Sequence, residues 1–346
     1  MIRFEDIRHV HLEPSSRCQA KCPLCSRNKW GWGERKDFIQ TNLRLDDCKR
    51  IFDRFPRMQL DRIDMNGNFG DPCINPDIKE IIRYLFQRFP RLRLGIMTNG
   101  GMQKPEWWMD LIPTQFLDRS MIHFSIDGLE DTNHLYRIGV PYDKVIANAR
   151  SFISVGGMAS WKWVPFRHNE HQVEEAEQRS RELGFQSFEV TDQGRDYVYV
   201  QSDDYWIRPT TDKKDRQDWE DMRSAVPYDD ISFAKRFDST PDKDAEREAS
   251  YARNPSLYCH TKEWRSVYID SQGYVWPCCI IGHDPLRYRF QHSKQLLNMI
   301  GDANCSLLEV DFEQASSWWH KVEDSWSKPT IREGLSRVCL QSCHRC

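Results

Sequence analysis

Apolar and polar positions alternate along residues 7–13, Ile-Arg-His-Val-His-Leu-Glu, and the alternation stops at Pro14-Ser15-Ser16, which predicts a first strand feeding a loop. Residues 45–55 switch to helical spacing, and Arg62–Met65 reads as a short strand running into Gly67-Asn68-Phe69-Gly70-Asp71-Pro72. The pattern then repeats. Residues 77–89 form a second amphipathic helix, 92–97 a third strand ending in Thr98-Asn99-Gly100-Gly101, and 121–126 a fourth strand ending in Asp127-Gly128. A helix over 142–155, a strand over 161–166, a helix over 173–183 and a strand over Ser187–Val190 complete the series. Six such units predict an α/β fold, a partial (β/α)6 barrel of parallel strands with its active site in the loops at their C-terminal ends. The glycine-bearing loops fall at those ends.

The period breaks over residues 193–255, where DKKDRQDWEDMR and TPDKDAEREASYARNP are charge-rich and read as a connector or insertion. Beyond it, residues 264–269 and 274–276 flank Ser271-Gln272-Gly273, a hairpin signal with a cysteine on either side. The expected organisation is a barrel over 1–192, a connector over 193–255 and a small cysteine-rich β-hairpin/α domain over 256–346.

With 39% hydrophobic and 29% charged residues the composition is that of a globular chain. The 49 basic residues are matched by 52 acidic ones, so charge makes no case for a nucleic-acid partner. No apolar run is long enough to span a bilayer and the N-terminus lacks a signal sequence, so a cytoplasmic protein with no membrane partner is expected. Twelve cysteines in such a chain favour metal ligation over disulfides.

Three of them, Cys18, Cys22 and Cys25, stand in a CxxxCxxC spacing on the loop after the first strand. A short loop can aim three thiolates at one iron–sulfur cluster, and a closed [4Fe–4S] site needs four, so one iron is left open. A zinc loop is the alternative, with His11 recruited as fourth ligand.

CxxxCxxC after the first strand of a βα series resembles the radical S-adenosylmethionine (SAM) superfamily. The resemblance implies that SAM chelates the open iron of a [4Fe–4S] cluster held by Cys18, Cys22 and Cys25. It implies too that reductive cleavage yields a 5′-deoxyadenosyl radical, which abstracts a hydrogen atom from substrate. Gly70-Asp71-Pro72 is similar to the family's GGEP loop, which receives the SAM amino group, with Asp replacing Glu. Thr98-Asn99-Gly100 resembles its TNG turn, which places Asn99 at the cofactor. Ser125 and Asp127 resemble fourth-strand residues that reach the SAM ribose. Arg137, 12 residues after Ser125, matches an arginine that pairs with the SAM carboxylate in the sulfatase-modifying subfamily.

Cys259, the run Gly273-Tyr274-Val275-Trp276-Pro277-Cys278, and Cys343 with Cys346 resemble the twitch or SPASM extension of these enzymes. The resemblance implies one auxiliary [4Fe–4S] cluster on Cys259, Cys278, Cys343 and Cys346. Cys279 and Cys339 are left over, either able to replace one of the four or to act as a redox thiol. A Cys₄ zinc site is the alternative here. Cys48, Cys73 and Cys305 stand alone and read as structural.

Relatives with an auxiliary cluster mostly modify peptides or proteins, by crosslinking, epimerisation or oxidation. Others oxidise small molecules, as the aminocyclitol alcohol dehydrogenases do. The resemblance implies a peptide or protein substrate first, a small-molecule substrate second, and an electron donor such as flavodoxin or ferredoxin. With the first strand starting by about residue 7, no leader-binding domain is expected ahead of it. A non-catalytic zinc- or cluster-binding protein that uses the barrel as scaffold is the alternative from another class.

Overall fold

The structure, a computed structural model, describes residues 2–22, 25, 27, 39–166, 169–190, 241–253, 257–282, 291–336, 339–340 and 343. Most of the proposed connector, and Cys346, lie outside the described residues. The chain divides into two compact units. One holds the described part of Ile7–Pro209 with Tyr268–Tyr274, and the other the described parts of Met1–Asp6, Thr210–Val267 and Val275–Cys346.

Six parallel strands make up the first unit's sheet: β1 His9–Leu12, β2 Arg62–Met65, β3 Arg93–Thr98, β4 Ser120–Ser125, β5 Met158–Trp163 and β6 Ser187–Val190. Their order is β6-β5-β4-β3-β2-β1, and two further strands, β7 Ser266–Ile269 and β8 Val275–Trp276, follow later in the chain. Helices α1 Leu45–Phe52, α2 Ile78–Arg88, α3 Pro105–Met109, α4 Asn133–Tyr136, α5 Tyr142–Ser154 and α6 Val173–Glu182 lie in the connections. The mixed α/β fold with a mainly parallel sheet is thus the one the periodicity predicts.

Two sequence features set this layering. In α2, Ile78, Ile81, Ile82, Leu85 and Phe86 recur every three or four residues and are all buried, so one stripe faces the core. In the strands, Val10, Leu12, Ile63, Leu94, Ile96, Ile122, Phe124, Trp161 and Trp163 are buried on one face of the sheet. Burying each of these side chains contributes about 1.5–3 kcal/mol relative to leaving it exposed. Rings from the connections close over that face: Trp108 lies 5.2 Å from Phe124, and Phe185 lies 5.4 Å from Trp161. Residues of opposite parity, including His11, Asp64, His123, Lys162 and Glu189, share the other, polar face.

The structure shifts one strand. Expected over 161–166, β5 runs over Met158–Trp163. It starts directly after the turn at Gly156 and Gly157, and it ends where the Val164 N–H is taken by the Asp127 carboxylate at 2.7 Å and not by a neighbouring strand. Phe166 is then turned by its N–H donating to Asn169 Oδ1 at 2.6 Å.

In the second unit the described residues form α7 Pro241–Arg253, α8 His260–Glu263, α9 Gln291–Ile300, α10 Phe312–Ala315 and α11 Trp319–Ser325. Trp276, Trp318, Trp319 and Phe312 are buried there, with Trp276 and Trp318 6.2 Å apart and Phe312 5.4 Å from Trp319. No helix among the described residues is long and apolar enough to cross a membrane.

Candidate functional site

The loops that follow β1, β2, β3 and β4 converge, and buried polar groups fasten each to the next. After β1, the Glu13 carboxylate turns inward to accept the N–H groups of Phe69 at 2.7 Å and Gly70 at 3.2 Å, and the Tyr268 hydroxyl at 2.6 Å. Burial outweighs these donors and pushes its carboxyl up to about 7. Arg27, fully buried, donates from Nη1 to the carbonyls of Ser16 at 2.6 Å and Phe69 at 3.1 Å. The cysteine loop is therefore clamped to the loop after β2. Gly70 is required at that contact, because a Cβ there would sit 1.8 Å from the Ser15 carbonyl oxygen.

Asp71, also buried, joins the second loop to the third. Its oxygens accept the Thr98 hydroxyl at 2.9 Å, the Asn99 N–H at 2.8 Å, the Asn99 side-chain amide at 2.6 Å and the Cys73 N–H at 2.9 Å. So many donors normally favour a carboxylate, yet burial dominates and raises its pKa. Asn99 passes the connection on: its Nδ2 points at Cys18 Sγ at 3.4 Å, and its Oδ1 accepts Gln19 Nε2 at 2.6 Å.

The fourth strand's loop supplies the positive charge. Asp127, fully buried, accepts Arg137 Nε at 2.6 Å on Oδ2 and Val164 N–H on Oδ1. Arg137 reaches Cys22 Sγ with Nη1 at 3.9 Å, and the carboxylate beside it raises the guanidinium pKa further. Both Asp127 oxygens are engaged within the protein, so its place in the structure is behind Arg137. Ser125, the last residue of β4, stands on the polar face of the sheet, in register with Lys162.

Cys18, Cys22 and Cys25 sit at the centre of this ring. The Cys25 N–H donates to the Cys22 carbonyl at 3.1 Å, and the three thiols influence one another electrostatically. Burial pushes the Cys22 thiol up to about 11 despite Arg137, and the Cys18 thiol well above its ordinary value. Thiolates here therefore need a bound cation to compensate their charge, which fits ligation by iron. Among the described residues no three His, Cys, Asp or Glu side chains converge closely enough to hold a single metal ion. A cubane spreads its thiolates over separate irons and does not require that convergence. His11, the fourth zinc ligand considered from the sequence, is turned away: its Nε2 meets the Asn66 carbonyl at 2.6 Å, its ring lies 4.8 Å from Tyr268, and burial lowers its pKa to about 4.

In the other unit Cys279, Cys339 and Cys343 act electrostatically on Cys278, and Cys259 acts on Cys339 and Cys343. Burial pushes the Cys343 thiol up to about 12, and the Tyr258 N–H donates to the Cys343 carbonyl at 3.0 Å. Cys339, buried and left over in the sequence reading, lies within this group. Cys346 lies outside the described residues. Glu13, Gln19 and Arg27 were missed by the sequence reading. Only Arg27, two residues past the last cysteine of the trio, carried a local signal.

No family model matches the chain. Over 134 residues it is 26% identical to the tungsten-containing aldehyde ferredoxin oxidoreductase cofactor-modifying protein of Pyrococcus furiosus, a stretch covering 38% of this chain and 34% of that relative. The chain thus matches about a third of the curated relative's length. Among solved structures it is similar to Streptococcus suis SuiB bound to S-adenosylmethionine, with TM-score 0.50 and 17% identity over 96% of this chain and 77% of that one. SuiB bound to its precursor peptide SuiA gives 0.52 and 17% over 98% and 76%. Native anSMEcpe with bound AdoMet gives 0.51 and 16% over 98% of this chain and 90% of that one. At these identities the likeness is one of fold, and nearly the whole chain takes part in it.

Proposed function

We propose that this chain is a radical SAM enzyme that abstracts a hydrogen atom from a peptide or protein substrate. The observation that carries the reading is the convergence of Cys18, Cys22 and Cys25 with Asn99 and Arg137, brought together from the ends of successive parallel strands. A fold shared with SAM-bound structures supports it, and one of those neighbours also binds a precursor peptide.

In this reading Cys18, Cys22 and Cys25 hold a [4Fe–4S] cluster, which supplies the electron that cleaves SAM. The Gly70-Asp71-Pro72 backbone receives the SAM amino group, while the Asp71 side chain holds Asn99 against the cysteine loop. Ser125 faces the ribose. Arg137 takes the SAM carboxylate, aimed by Asp127. A second cluster is held by Cys259, Cys278, Cys343 and Cys346, with Cys339 beside them, in a twitch-like domain over 256–346 that follows the barrel of 1–192 and the connector of 193–255. Flavodoxin or ferredoxin provides the electron.

Anaerobic reconstitution tests this directly. About eight irons per chain are expected from two cubanes, with reductive formation of 5′-deoxyadenosine from SAM. Replacing Cys18, Cys22 and Cys25 together by Ala abolishes the cleavage. A triple variant that still makes 5′-deoxyadenosine refutes the assignment.

A further inference from the structure

Beside Ser125 the polar face of the sheet carries a charged pair, Lys162 and Glu189, that the SAM contacts proposed above leave unused. Ser125, Lys162 and Glu189 are register partners across β4, β5 and β6, so they stand side by side near the C-terminal ends of the strands. His123, Ser160 and Ser187 form the row beneath. Trp161 and Trp163 are fully buried on the opposite face, which fixes where Lys162 points. A slip of one residue would drive its ammonium into the aromatic core.

Within the row Glu189 is an anchor. Its Oε1 accepts the hydroxyls of Ser160 at 2.8 Å and Ser187 at 3.4 Å, and its Oε2 meets Lys162 Nζ at 3.1 Å. Burial alone would raise the Glu189 pKa, but the bonds from Ser160 and Lys162 hold it below the usual range. Its lone pairs are largely committed. Lys162 has three N–H donors, and Glu189 occupies one of them. His123 Nδ1 is 3.7 Å from Glu189 Oε1, too far for a hydrogen bond, and this buried atom has no hydrogen-bond partner among the described residues. The Lys162 and Glu189 side chains remain 26% and 42% exposed, so a ligand can reach them. Spare donors outnumber spare acceptors, which suits an anion and not a cation.

We propose that Lys162 is a substrate-orienting cation that takes a carboxylate carried by the substrate, with Glu189 as its positioning residue. This rests on the function proposed above and deepens it by naming an acidic peptide side chain as the feature recognised beside Ser125. The carboxylate of SAM offers the same chemistry, so the test separates the two sources.

The experiment uses the full-length, cluster-reconstituted protein and two probes, acetyl-Gly-Glu-Gly-amide and acetyl-Gly-Gln-Gly-amide, with affinities read by ligand-observed NMR in saturating SAM. The Glu peptide is expected to bind about tenfold more tightly than the Gln peptide, the worth of one charge-assisted hydrogen bond. Lys162→Met erases that preference, Lys162→Arg keeps it, and neither changes the Kd for SAM. Glu189→Leu, which removes the acceptor that anchors the lysine, weakens the preference and serves as second variant if circular dichroism finds Lys162→Met unfolded. Equal or undetectable binding of the two peptides to the unaltered protein overturns the proposal. So does a preference that survives in Lys162→Met, or a loss of SAM affinity in that variant. Absence of 5′-deoxyadenosine formation by the unaltered protein would count against the radical SAM reading instead, because the peptide preference is a binding measurement.

Discussion

Replacing Glu13 by Gln changes how stability depends on pH, and the structure gives both sign and size. The folded carboxyl is raised from an ordinary 4.5 to about 7, chiefly by burial, with Asp270 adding to the rise. Below pH 4.5 both folded and unfolded chains hold the proton, and Glu13 adds no pH dependence. Between 4.5 and 7 the unfolded chain has released it while the folded one has not, so stability falls as pH rises. Above 7 the loss is complete, and at about 1.36 kcal/mol per unit it amounts to roughly 3 kcal/mol. In Glu13→Gln the amide oxygen still accepts from Phe69 and Gly70, and the amide N–H turns to Tyr268, whose hydroxyl can accept. The hydrogen bonds survive while the ionisation disappears. Urea denaturation of the cluster-free, reduced protein, followed by tryptophan fluorescence from pH 5 to 8, measures the difference between variant and parent, in which other titrating groups cancel. The variant should gain on the parent as pH rises, by up to roughly 3 kcal/mol at pH 8. A flat difference, or a variant that loses ground with rising pH, refutes the reasoning, since either means that the three donors hold the carboxylate ionised.

Three further outcomes are expected. Asp71→Ala strands the Thr98 hydroxyl and the N–H groups of Asn99 and Cys73, and should lower the stability of the cluster-free protein by roughly 3 kcal/mol or more in the same urea assay. Gly70→Ala forces apart the loops after β1 and β2, so a cost of roughly 1–3 kcal/mol and a fall in iron bound on reconstitution are expected. Cys48→Ala, in a buried thiol on α1, should leave the iron content unchanged, and a drop would enlarge the ligand set.

The sequence made the strands and the cysteine trio legible for the same reason: both signals are local. The alternation in Arg62–Met65 and the spacing from Cys18 to Cys25 can be read without knowing what lies opposite. The β5 boundary could not be read this way, because the strand stops where Asp127 claims the Val164 N–H, a contact made 37 residues away. Asp127 stands after β4, where the resemblance implies a ribose contact, and the fold adds what the sequence could not show, that its carboxylate accepts from Arg137 and from the Val164 N–H. Glu13, Gln19 and Asn99 act through pairings 56 to 255 residues apart, which no window of sequence contains. Lys162 and Glu189 each read as an ordinary polar position in an alternating strand. Their meaning appears when the register of β4, β5 and β6 lays them beside Ser125.

The bond from Tyr268 to Glu13 also bears on how the protein is made. It joins positions 255 residues apart, and the Glu13 carboxylate it reaches steadies the loop facing the cysteine trio. A ribosome adding roughly 5–20 residues per second takes on the order of 10–50 s to get from one partner to the other. For most of that interval Cys18, Cys22 and Cys25 are already made while part of their support is still unsynthesised. Under the cluster reading proposed above, iron delivered before Tyr268 is in place would meet a loop lacking one of its struts.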